Sequence, residues 1–245
     1  MDRLIFTALS GARHALMEQQ VSANNLANVN TAGFRRDLEL SQSNQVRGNG
    51  FATRFMSQEE KSAVNDAPGV AERTERPLDV AIQGEGYIAV QGEGGREVYT
   101  RNGNIQQNDQ GMLTVNGYPV VGDNGPIILP PNAIASFGSD GTISVTPDDG
   151  DVTATMDVDR LKLVNIPVNN LTKNAQGMLV TADGRPAQRD ENIKVSGGYL
   201  EGSNVSAITE MTASISLNRQ FEAQIKMMKT AEDLSDAGNR LLRGS

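Results

Sequence analysis

Leu4-Ile5-Phe6-Thr7-Ala8-Leu9-Ser10-Gly11-Ala12-Arg13-His14-Ala15-Leu16 opens the chain with apolar residues three and four positions apart. Followed onward, Ile5, Leu9, Ala12, Leu16, Ala23 and Leu26 make one stripe broken only at Gln19. That spacing predicts an amphipathic helix over about residues 4–28, about 35–40 Å long. The stretch Val21 to Asn30 is rich in Asn, which bonds to nearby backbone and suits helix ends, and Gly33 is the expected left-handed stop. A longer counterpart lies at the other end, over residues 200–245. There Leu217, Phe221, Met228, Ala231, Leu234 and Leu241 follow spacings of three, four and seven, with Ile208, Met211 and Ile215 on an offset stripe. Gly202-Ser203-Asn204 supplies its start signal. Glu222 with Lys226, and Asp236 with Arg240, are acid-before-base pairs worth about 0.2–0.5 kcal/mol each. Both stripes use Gln, Ala and Ser where a strong coiled coil uses Leu, so neither helix is expected to be firmly stable alone.

Between the helices the period changes from helical to alternating. Short runs are expected as strands at Leu78–Ile82, Tyr87–Val90, Glu97–Arg101, Leu113–Val115, Thr142–Val145, Arg160–Asn165 and Met178–Thr181. Asn116-Gly117, Asn102-Gly103, Asp140-Gly141 and Asp183-Gly184 mark turns. Gly111-Met112-Leu113 before Gly117-Tyr118-Pro119 is echoed by Gly177-Met178-Leu179 before Gly184-Arg185-Pro186, one hairpin design used twice. Residues 37–76 carry neither period cleanly. The expected organisation is therefore an N-terminal helix and motif (1–36), an extended polar connection (37–76), a β-rich domain (77–200) and a C-terminal helix (201–245). The fold class is α+β, a β-rich centre flanked by amphipathic helices that pair as a coiled-coil-like layer on assembly. The bland alternative is an α+β domain whose terminal helices simply cover one sheet.

Composition narrows the function classes. The 245 residues hold 22 Lys and Arg against 30 Asp and Glu, a net charge of −8, which argues against a nucleic-acid partner. Residues 1–36 carry four Arg and two acids, and 201–245 carry six acids and five bases, so −9 falls on 37–200 and the helical ends are nearly neutral. With no cysteine there is no disulfide framework, thiol chemistry or thiolate metal site. No apolar run approaches the about 20 residues of a membrane span, so membrane insertion is not expected. Met1-Asp2-Arg3 puts an acid beside one Arg, and the helical pattern continues through Arg13, His14 and Glu18, so the N-terminus reads as mature protein.

Chemistry-bearing constellations are sparse. His14, the single histidine, is expected on a solvated helix face. Asp148-Asp149-Gly150-Asp151 with Asp157 and Asp159 misses the calcium-loop spacing and reads as a solvated acidic turn. Gly84-Glu85-Gly86 lacks the third glycine and following helix of a dinucleotide site and reads as a turn between strands. Arg35-Arg36 is too small a patch to hold nucleic acid. No catalytic, cofactor or metal residue is assigned.

Ser22-Ala23-Asn24-Asn25-Leu26-Ala27-Asn28-Val29-Asn30-Thr31-Ala32-Gly33-Phe34-Arg35-Arg36 resembles the N-terminal signature of bacterial flagellar rod and hook proteins. The resemblance continues through Arg76–Tyr87, Tyr99-Thr100-Arg101-Asn102-Gly103, Gly111–Val120, Gly198–Val205 and Glu210-Met211-Thr212. It departs mildly at Ile88 and Ile105, where the family commonly has aromatic residues. Met1–Ala12 and Arg219–Glu232 are similar to the proximal-rod branch. The family motif is carried by Asn24, Asn25, Leu26, Ala27, Asn28, Thr31, Gly33 and Phe34.

The resemblance implies a structural subunit of the flagellar basal-body rod and not an enzyme. Its implied partners are copies of itself and other rod proteins. It also implies export through the flagellar type III apparatus without a cleaved signal, a place in the periplasmic rod, and a helical tube that transmits torque. The expected assembly interface comprises Ile5, Leu9, Leu16, Leu26, Ile208, Met211, Ile215, Leu217, Phe221, Met228, Leu234 and Leu241. Both helices are expected to order fully only when neighbours bury their stripes. The alternatives are a distal-rod or hook subunit and, in another class, an extracellular cell-wall-polymer hydrolase using a carboxylate pair about 5–9.5 Å apart.

Overall fold

The structure is a computed structural model and describes residues 2–45, 55–59, 63–131, 133–147, 155–174 and 176–243. A helix at each end and a β-rich centre give the α+β class that the patterning predicts. The chain divides into two compact units. Met1–Ala27, Asp37–Ser62 and Ser206–Ser245 make a helical unit, and Asn28–Arg36 with Ala63–Val205 make a β unit. The boundary therefore runs through both the N-terminal motif and the polar connection.

In the helical unit, α1 (Asp2–Ala27) packs along α2 (Ala207–Arg243). They run antiparallel. Ser22 Oγ donates to the Glu210 carbonyl at 3.0 Å near the start of α2, and a side chain at Gly11 would meet Gln224, about three turns back on α1 and about four turns on along α2. The row α1 buries is Ala8, Ala12, Ala15 and Ser22, while α2 turns in Leu217, Phe221, Met228 and Ala231. Alanine lets the backbones approach but removes little apolar area from water, at about 25 cal/mol per Å². Ser206 precedes α2 as its cap, its carbonyl accepting from the Glu210 amide at 3.0 Å.

Residues 37–59, expected as connection, hold an antiparallel hairpin of Ser41–Gln45 with Phe55–Glu59, in register from Ser41↔Glu59 to Gln45↔Phe55. Ser10 Oγ ties it to α1 through the Ser57 carbonyl at 3.1 Å. All of Ser41–Gln45 is exposed. A strand polar on both faces carries no period-two signal, which is why the sequence pattern conceals it.

The β unit centres on a five-stranded sheet in the order Leu163–Val164, Tyr87–Gln91, Glu97–Thr100, Leu179–Thr181, Leu171–Lys173. Along Tyr87–Gln91 the side chains alternate between two cores. Ile88 and Val90 join a large cluster with Val80, Ile105, Leu113 and Ile143, and Tyr87 and Ala89 join a smaller one with Tyr99, Val164 and Leu179. Burial on both faces explains why this strand reads as a continuous apolar run.

The twin sequence echo is a twin loop. Asn108 and Asn174 each accept two amides through Oδ1, from Gln110 and Met112 and from Gln176 and Met178, with Gly111 and Gly177 at positive φ. The copies then diverge. Leu113–Val115 returns through a tight turn to Tyr118–Pro119, whereas after Leu179–Thr181 no strand forms at Gly184–Pro186.

Candidate assembly site

Each helix carries apolar residues on more than one face. Leu217, Phe221 and Met228 lie half-buried on the row that α2 turns inward, and Ile5 and Leu26 are also half-buried. Leu9, Leu16, Ile208, Met211, Ile215 and Leu234 are exposed, Ile208 at 78%. The side chain of Leu241 lies outside the described residues. On α1 the exposed Leu9 and Leu16 each follow a buried alanine by one position (Ala8 then Leu9, Ala15 then Leu16), a rotation of about 100°. The intramolecular seam therefore uses the small residues, and the leucines, with exposed Leu4 and Phe6, face away from it.

The motif residues end α1 and anchor the chain after it. Asn25 is buried and clasps Asp37, donating from Nδ2 to its carbonyl at 3.0 Å and accepting its amide on Oδ1 at 2.8 Å. Asn24 donates to the Asp37 carboxylate at 3.0 Å. Ala27 is the last residue of α1 and is exposed. Thr31 closes a turn on Asn28 through both amide and hydroxyl. Gly33 does adopt a left-handed φ of 66°, but after this turn and not at the helix end itself. A Cβ there would fall 2.2 Å from the Arg101 carbonyl carbon, so no other residue fits. Lys173 Nζ sits 4.1 Å from the centroid of the Phe34 ring and donates to the Arg35 carbonyl at 2.8 Å.

At the base of this motif lies an ion triad that sequence reasoning missed. Glu201 receives Arg35 Nη1 on Oε1 at 2.8 Å, and Arg101 Nε and Nη2 on Oε2 at 2.9 and 2.8 Å. Arg101 also donates to the carbonyls of Gly84 and Gly86, the turn that joins Val80–Gln83 to Tyr87–Gln91. Arg35 donates to the Ala67 carbonyl, and Glu201 takes the Gly69 amide on Oε1 and the Gly33 amide on its own carbonyl. Burial pulls the Arg101 guanidinium below its ordinary pKa, against the opposing pull of Glu201. Burial likewise raises the Tyr87 phenol. The one available signal was position, because each member sits inside a motif: Gly33-Phe34-Arg35, Tyr99-Thr100-Arg101 and Tyr199-Leu200-Glu201.

His14 corrects an expectation. Its side chain is only 16% exposed, with Nε2 3.3 Å from both Glu18 and Ser41 Oγ and Nδ1 3.8 Å from Glu39. The segment after Asp37 folds over that face of α1, which helical periodicity alone does not reveal. Asp148, Asp149, Gly150 and Asp151 lie outside the described residues. Asp157 accepts from Ser144 Oγ and Asp159 from the Asp123 amide. Among the described residues no group of three His, Asp or Glu side chains converges as a metal site. A cleft of about 530 Å³ is floored by Val98, Tyr118, Met178 and Val180. Two carboxylates line it, and both are engaged: Glu97 by Lys162 at 2.6 Å and by Tyr99, and Glu93 by Gln176.

Three family models match the chain: "Flagella basal body rod protein" over residues 5–35, "Flagellar hook protein FlgE/F/G D1 domain" over 81–145, and "Flagellar basal body rod FlgEFG protein C-terminal" over 196–241. One triad residue falls in each. The chain is 38% identical over 99% of both chains to the flagellar basal-body rod protein FlgF of Escherichia coli (strain K12), and equally to that of Salmonella typhimurium. The chain belongs to the flagellar basal-body rod protein FlgF family. It is a structural subunit of the bacterial flagellar basal-body rod and resides in the basal body. It is also 32% identical to the rod protein FlgG of Caulobacter vibrioides, over 96% of this chain and 97% of that one.

Proposed function

We propose that the subunit builds the proximal rod by packing the exposed faces of its two terminal helices against copies of itself and other rod proteins, forming a helical tube that transmits torque across the periplasm. The observation that carries this is the double use of each helix. One row is spent on the partner helix, and a second apolar row, with Phe6, Leu9 and Leu16 on α1 and Ile208, Met211 and Ile215 on α2, stays in water. A head-to-tail contact repeated along a screw axis yields an open tube and not a closed ring. The thin intramolecular seam suits a subunit exported unfolded through the type III apparatus and ordered on arrival. The 38% identity to FlgF of Escherichia coli and of Salmonella typhimurium, over 99% of both chains, supports a proximal over a distal or hook position. The reading includes no catalysis, nucleic acid or membrane insertion.

The test is Ile215→Glu, alone and with Leu9→Glu. Rod assembly and motility are expected to be lost while the purified subunit keeps its circular dichroism and melting temperature. Motility that survives both substitutions rejects the interface. Limited proteolysis of the free subunit checks the ordering: the two ends are expected to be cut well before residues 77–200, and equal resistance rejects deferred folding.

A further inference from the structure

Two guanidiniums and one carboxylate share the interior of the β unit, with Arg35 3%, Arg101 2% and Glu201 2% exposed. Among the described residues, the ion pairs of Arg35 and Arg101 are both to Glu201. Asp66 and Glu85 line the small cavity beside them, but both are exposed to water. The three charges come from three separate parts of the chain, and Glu201 lies a hundred residues beyond Arg101. A chain that emerges N-terminus first thus carries both cations long before their counter-charge. Burying two like charges without it is unfavourable enough to hold the site open.

Around Glu201 the fastenings are shared. Its carbonyl takes the amide of Gly33, its carboxylate takes the amide of Gly69, and the next residue, Gly202, donates to the Val70 carbonyl. Asn204 continues the pattern, accepting the Arg36 amide on Oδ1 and donating from Nδ2 to the carbonyls of Asn65 and Ala67.

We propose that Glu201 is the closing charge of the β unit: the unit seals over Arg35 and Arg101 only when the segment directly before α2 docks, and that event fixes the segment directly after α1 in the same step. The two stretches of chain from which the terminal helices leave are therefore set together or not at all. This stands independently of how the helices assemble, since all its residues lie in the β unit.

Amide hydrogen exchange on the full chain tests it. In Glu201→Gln, the amides of Gly33, Arg36, Gly69 and Gly202 are expected to lose protection together, by at least about tenfold. Loosening confined to Gly202, with Gly33 and Gly69 unchanged, overturns the proposal. The triple variant Arg35→Met, Arg101→Met, Glu201→Leu removes the charges altogether and is expected to regain protection at Gly33, Arg36 and Gly202, whose acceptors it keeps, while Gly69 loses its acceptor with the carboxylate. If Glu201→Gln does not fold, the triple variant decides. A triple variant as loose as the single one shows that charge is not the gate.

Discussion

The helical unit and the β unit reach stability by different means. The β unit buries branched side chains on both faces of its central sheet, with Val80, Ile88, Val90, Ile105, Leu113 and Ile143 wholly enclosed, and closes around a paired charge cluster. The helical unit has a seam of alanines against a half-buried row and leaves leucines, isoleucines and a phenylalanine in water. An interior of the first kind is complete within the unit, whereas one of the second leaves apolar rows uncovered. On the proposed function, the difference separates a module that folds alone from one finished by its neighbours.

Substitutions can break this contrast. Ile88→Ala, in the doubly covered strand, is expected to cost about 2–5 kcal/mol in a denaturant titration followed by β-unit probes. Leu217→Ala, on the half-buried seam, should cost about 1–2 kcal/mol for the helical unit, in proportion to the smaller area it removes from water. Equal losses at the two positions would erase the distinction. The Tyr87 phenol offers a pH readout. Burial raises its pKa above the unfolded value, so the neutral form is favoured in the fold, and its stabilisation is present below about pH 10 and lost as pH rises past that point. The stability lost between pH 9 and 11 should accordingly be smaller in Tyr87→Phe, and an identical loss would remove Tyr87 as the cause. The smallest effect belongs to Ile215→Ser, within about 0.5 kcal/mol for the free subunit. A larger loss there would mean that this face is already covered inside the subunit.

Much of the fold was legible because its signals are local. Helical spacing located α1 and α2, and short apolar runs bounded by glycine turns located Tyr87–Gln91, Glu97–Thr100 and Leu113–Val115. Ala133–Phe137 and Lys194–Gly197 escaped notice, because their pairing with Thr142–Pro147 and Val80–Gln83 is a tertiary event. The α1 stripe was found but centred one residue off, since leucines draw the eye while alanines make the contact. The triad was beyond reach for a stronger reason. Arg35, Arg101 and Glu201 look like surface charges until the topology brings them together, and no local pattern links residues so far apart.

One consequence follows from the lengths of the two helices. With Gly11 opposite Gln224 and the helices antiparallel, the nine residues from Gly11 back to Asp2 carry α1 only to about residue 233 of α2. The final ten residues of α2, to Arg243, run on past the end of their companion. The pair is thus flush at one extremity and overhanging at the other, like a scarf joint cut for its continuation. Such a pair has a direction before it meets anything else, and copies joined end to end inherit that direction.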